Sequence, residues 1–243
     1  DIATAAFWHL AKKDEHEYKW IRSRLAVFTF EEVWPYGINI TFDKSQSVNL
    51  HHIITLCKSQ KHKDAAGLGS LAYAFSEGDN TVLHGDEHDW YIRVVAKALR
   101  EKDKFRDWAL SESQKLEPSQ VRLIANAING SKKAGWPWDK AFTYAAALLA
   151  IKKPIPHICD APTTQSEKFP FWIAIDKHTQ DGKEAMRKAA QEMHVPANTA
   201  LWLSFYFESA VCNSLAPSPW WERERQWRLA KLHLSVADAR AKW

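Results

Sequence analysis

The sequence predicts an all-α fold of about ten helices, arranged as a multi-helix bundle. Two observations point to the helical class. Glycine is scarce, at 8 of 243 residues, so the tight turns of a β-sandwich are missing. Asn129-Gly130 and Asp181-Gly182 fall inside helical patterns rather than between strands. Apolar residues make up 46%, enough for a core of normal size. Thirteen tryptophans read as bulky core anchors, since an indole needs an apolar site and a partner for its N–H.

The elements follow in order. Ala6, Phe7, Leu10 and Ala11 recur at helical spacing over residues 3 to 13. The opening DIATAAFWHLAKK has no apolar core like a signal peptide and reads as a helix already under way, as in a fragment of a longer protein. A second helix runs from about Glu15 to Val33, where the apolar positions Trp20, Ile21, Leu25, Phe28 and Val33 recur about every three or four residues. Pro35 and Gly37 stop it, and WPYGINITFDKS is a loop with room for one short strand in INITF. Helix three covers about Val48 to Gln60. Helix four covers Asp64, as N-cap, to Phe75. Gly67 and Gly69 weaken helix four by about 1 kcal/mol each relative to Ala, a loss explained if another helix approaches closely there.

SEGDNTVLHGDEH is a polar loop, with His84 and His88 in it. Helix five, about Glu87 to Lys102, starts in acids and ends in bases, as the helix dipole prefers. A short helix covers 104 to 115. Pro118, Pro137 and Pro196 each open a helix, because proline at the first helical position loses no hydrogen bond. Thr179 can cap the helix from Gln180 onward. Ser218 and Pro219 open a final helix reaching residue 243. Its seam of Trp220, Trp227 and Leu234, seven apart, suits packing within the chain or on a neighbouring subunit. These helices divide into a domain over 1–151, a proline-rich connector over 152–170 and a helical subdomain over 171–243.

Net charge is +4, which permits nucleic-acid contact without demanding it. Arg223, Arg225, Arg228 and Lys231 with Trp221 are the nucleic-acid candidates, against the alternative of a solvated face. Three widely spaced cysteines without CxxC argue against a disulfide framework and for a cytoplasmic setting. No apolar run reaches the length needed to span a membrane.

The chain has no GxxxxGK[ST], GxGxxG, GxSxG or HExxH, so nothing supports ATP hydrolysis or a serine or zinc hydrolase in this chain, and no cofactor is implied. The enzymatic candidate is PIPHICDAPT with the following IDKHT: His157, Cys159, Asp160, Asp176 and His178. His157, Asp176 and His178 offer acid and base groups, and His157 with Cys159 offers zinc ligands, although HxC is not a usual zinc spacing. The plainer reading is a stiff connector, because Pro154, Pro156 and Pro162 each fix φ and disfavour helix just before them. His51-His52 and His84 with His88 are further candidates, whose plainer reading is a polar surface loop.

Two segments carry a family resemblance. In residues 5–33, Ala6, Phe7 and Trp8 are followed by Asp14 and Glu15, then by Arg22, Arg24, Leu25, Ala26, Glu31 and Glu32. In residues 154–163, His157 precedes Ala161, Pro162 and Thr163. Together they resemble the C-terminal helical region of the RarA/MgsA type of AAA+ ATPase, the family that includes the Werner-helicase-interacting protein. Phe30, the stretch Ser76 to Asn80, and Cys159-Asp160 depart from its pattern. The resemblance implies a clamp-loader-collar-like helical bundle serving as a non-catalytic oligomerisation domain of a DNA replication or repair ATPase, with the ATPase module elsewhere. It further implies a homo-oligomer, a tetramer in that family, working with DNA and single-strand-binding protein. The alternatives are a free-standing helical nucleic-acid-binding protein and a metal-dependent or acid/base enzyme using the 157–178 loop.

Overall fold

The computed structural model describes residues 25–40, 50–134, 137–161, 180–192, 194, 196–197, 215–231, 233 and 235. Those residues are mostly helical, and among them β-structure is limited to isolated bridges. The chain divides into two compact units, residues 1–161 with 216–224, and residues 162–215 with 225–243.

In the first unit, helix α1 occupies 25–32. Thr29 donates from Oγ1 to the Leu25 carbonyl within it, at 2.8 Å. The chain then tightens into a 3-10 helix, Trp34–Asn39, where a loop is expected from sequence; Pro35 at its start presets φ for this winding. Asn126 holds the turn by donating from Nδ2 to the carbonyls of Gly37 (2.8 Å) and Ile38 (3.2 Å). Helix α2, Leu50–Lys58, and helix α3, Asp64–Ser76, follow the expected segments. Asp64 is the first helical residue of α3 rather than its cap, which falls on Lys63. Helix α3 ends in a Schellman arrangement: Gly78 takes φ +98° and Asp79 N–H donates to the Ala74 carbonyl at 3.0 Å.

Helices α4 (Asp89–Arg100), α5 (Lys102–Ser113), α6 (Pro118–Ala134) and α7 (Pro137–Lys152) complete the unit. Helix α7 is its centre. Thr143 and the alanine-rich run from Tyr144 to Ile151 are buried on every side. Helices α3, α4, α5 and α6 all pack on α7, and α6 also packs on the 3-10 turn. Short side chains on α7 let a neighbour come close. A Cβ added to Gly69 would lie 2.7 Å from Phe142 Cδ1 and 3.0 Å from the Ala141 carbonyl oxygen, so only glycine fits there. Gln120 secures the end of α7 by donating from Nε2 to the Ala150 carbonyl at 2.6 Å.

The end of α2 at Lys58 and the short non-helical stretch 59–62 bind three distant segments through the backbone. His62 N–H donates to the Glu32 carbonyl (2.7 Å), Gln60 N–H to Cys159 (2.8 Å), and Ala161 and Ala216 N–H to Lys58 (2.7 Å) and Lys61 (2.8 Å). The prolines at 154 and 156 keep 153–161 out of helix, and its last residues hydrogen-bond to this stretch. Ile158 packs against the cluster of Val33, Tyr36 and Leu56.

Helix α8, Gln180–Glu192, belongs to the second unit. Helix α9, Pro219–Lys231, starts where Ser218-Pro219 predicts. Trp221 N–H donates to Ser218 Oγ at 3.2 Å, an N-cap bond. The expectation of one helix to residue 243 is corrected: α9 ends at Lys231, and His233 takes φ +54°, outside right-handed helix.

Candidate functional site

The densest grouping of buried charge in the first unit lies where 216–224 returns to it. Three sequence-distant parts supply the side chains: the end of α1, the start of α3, and the loop leading into α4.

Arg223 is buried and takes its partners from that loop. Its Nη1 donates to both Asp86 oxygens (3.1 and 3.3 Å), and its Nη2 donates to the Val82 carbonyl (3.2 Å) and to Asp89 Oδ1. Asp89, also buried, accepts the backbone N–H groups of His84 (3.1 Å) and Gly85 (2.8 Å) as well. Burial pushes the Asp89 carboxyl pKa up, but the His84, Arg223 and Gly85 donors outweigh it and hold the group below the usual carboxylate range. Asp86 is lowered too, its desolvation offset by Arg223 and by the His88 backbone. Charge-assisted bonds of this kind are the strong ones, and both acids are held ionised.

Lys63 forms the second buried cation. Its Nζ is 2.8 Å from Glu32 Oε1 and sits over the Trp221 ring at 4.5 Å. Burial lowers the Lys63 pKa, but Glu32, Glu31 and Glu224 together more than compensate and raise it. Between the two cations, Trp220 packs against Tyr91 (5.4 Å between centroids) and His88 (5.8 Å). Ser218 donates from Oγ to Asp64 Oδ1 at 3.2 Å. The 219–221 backbone lies against Gly67: a Cβ there would sit 2.5 Å from both the Trp220 carbonyl oxygen and the Trp221 nitrogen. The close approach expected at Gly67 and Gly69 is therefore real, and at Gly67 the approaching group is the first turn of α9.

The arrangement acts as a clasp. Each cation is neutralised by carboxylates of its own unit. Trp221 and Arg223, nucleic-acid candidates from sequence, are buried in this clasp. Trp220, a candidate for an oligomer seam, is buried beside them. In the second unit Trp227 is also buried, with Arg228 (5.2 Å) and Lys231 (4.3 Å) over its ring, and Arg225 is half-buried. Leu234 lies outside the described residues.

His157 and Cys159 are exposed in the 153–161 stretch, and Cys159 Sγ is 3.2 Å from Gln60 Oε1. Asp176 and His178 lie outside the described residues. Among the described residues no group of three or more His, Cys, Asp or Glu is placed to hold a metal ion, and no helix is long and apolar enough to cross a membrane.

Sequence reasoning missed the pairing of Asp86, read as polar loop, of Asp89, read as part of the acidic start of helix five, and of Lys63. No local pattern signals them, because Arg223 lies 137 and 134 residues further along the chain. It also missed a polar pair in the core beside α2: the Tyr36 hydroxyl is 2.7 Å from His52 Nδ1. Burial raises the Tyr36 pKa and lowers that of His52, so both groups of the pair favour their neutral forms. Comparison with protein-family models, with curated proteins and with solved structures finds no match.

Proposed function

We propose that this chain is a non-catalytic oligomerisation and interaction module of a DNA replication or repair ATPase, working beside an ATPase module that it does not itself contain. The clasp carries the reading. The most strongly interacting ionic side chains, Arg223, Asp86, Asp89, Lys63 and Glu32, are spent on joining remote parts of one helical unit, which is the use a scaffold makes of them. The helical build agrees with the collar implied by the resemblance in residues 5–33 and 154–163. In this reading the assembled form is a homo-oligomer, a tetramer if the family pattern holds, and its partners are DNA and single-strand-binding protein. Light scattering across a concentration series tests it. A homo-oligomer at micromolar concentration is expected, and a clean monomer at high concentration overturns it. A nucleic-acid role for α9 has less support, since Trp221, Arg223 and Trp227 are all buried.

A further inference from the structure

We propose that the outer face of α4 is a binding surface for single-stranded nucleic acid, with Trp90 as stacking platform and Arg93, Lys97 and Arg100 as phosphate contacts. Ile92, Val95, Ala96 and Ala98 commit the opposite side of this helix to the core. Positions 90, 93, 97 and 100 fall within one stripe at helical spacing, and all four are exposed. At 1.5 Å per residue the stripe runs about 15 Å, the reach of a few nucleotides.

Trp90 is 43% exposed, the most exposed large hydrophobic side chain among the described residues. It is braced edge-to-face by Tyr91 at 5.1 Å, which sets its plane. Lys152 Nζ lies 5.0 Å from its ring centre. Such an exposed cation–π contact is weaker than a stacked base, so a base can displace the flexible ammonium toward a flanking phosphate. The arginines are already oriented: Arg93 lies over Phe75 at 5.2 Å, and Arg100 donates from Nη2 to the Ser76 carbonyl. Three of the acids near the stripe are occupied, while Glu87 stays exposed three residues before Trp90. Asp86 and Asp89 face Arg223, and Glu101 pairs with Lys104 at 2.9 Å. Beyond Arg100, Lys102 lies beside Lys140, whose pKa is lowered first by burial and then by this neighbouring ammonium.

Charge alone would suit duplex or single strand equally. The exposed indole decides between them, because only an unpaired base can stack on it. The proposal is independent of whether the chain oligomerises, and a monomeric result in light scattering leaves it standing.

Fluorescence anisotropy with labelled oligodeoxythymidine, on the whole chain and at several salt concentrations, tests it. Three phosphate contacts predict a log–log salt slope of about −2. Trp90→Ala should weaken binding about tenfold with that slope unchanged. Arg93→Gln with Lys97→Gln should weaken binding and bring the slope to about −0.7. All three side chains are exposed, so thermal melts of the variants should match the parent. Absent binding at low salt, binding unmoved by Trp90→Ala, or equal affinity for duplex of the same length overturns the proposal. So does tighter binding to phosphatidylserine vesicles than to the oligonucleotide.

Discussion

Gly67→Ala is the substitution in which local and tertiary physics disagree in sign. Residue 67 is the fourth residue of α3, and helix propensity alone makes alanine there more stable by about 1 kcal/mol. The tertiary structure opposes this. The new methyl would sit 2.5 Å from the Trp220 carbonyl oxygen and the Trp221 nitrogen, where ordinary contact begins at 3.4 Å. The obstacle is backbone, so no rotamer change relieves it, and the first turn of α9 must back away by about 1 Å. Overpacking of this kind costs about 1–3 kcal/mol, and rigid backbone places it at the upper end. Complete release of the turn would cost more. Trp220 and Trp221 each bury about 150–250 Å², about 4–6 kcal/mol at 25 cal/mol per Å², so the turn shifts rather than detaches. The net expectation is a loss of about 2 kcal/mol after the propensity gain. Urea unfolding followed by tryptophan fluorescence measures it. A midpoint that rises, as propensity alone demands, would refute the close approach at Gly67.

Two further predictions concern the buried charges. Arg223→Met leaves the buried Asp89 carboxylate without its guanidinium and should cost about 3–5 kcal/mol in urea unfolding; adding Asp89→Asn should recover part of that loss, and no recovery would argue against the pairing. His62 is buried with Nε2 lacking a hydrogen-bond partner among the described residues, and burial lowers its pKa, with Asp64 opposing and Lys153 reinforcing the shift. The unfolded ring, near its ordinary value of about 6.5, therefore binds a proton that the folded ring refuses. Stability from this group is complete above that value and falls as pH drops through it. His62→Gln should flatten the pH dependence of the melting temperature there, leaving the residual slope of His52, which burial shifts the same way.

Much of the fold was readable because helix signals are local. Proline at a first turn acts on its own N–H and φ, so Pro118, Pro137 and Pro219 start helices as expected. The glycine pair in α3 announced a close approach without saying what approaches. Where the reading failed, the deciding interaction was remote. WPYGIN winds as a 3-10 turn that Asn126, nearly ninety residues away, holds by two carbonyl bonds. The run from Trp220 to Trp243 has enough helix formers to continue, yet the helix ends at Lys231.

By itself the sequence determined the helical class, most helix starts, and the extended path of PIPHICDA, since each depends on residues within one turn of one another. Only the tertiary structure decided which charges meet water. Arg223 and Arg93 look alike in their local surroundings. One is buried because Asp86 and Asp89 lie where α9 docks, and the other is exposed because α4 turns that side away from α7. Burying a cation is favourable only where carboxylates await it, and which carboxylates lie there is a property of the folded chain.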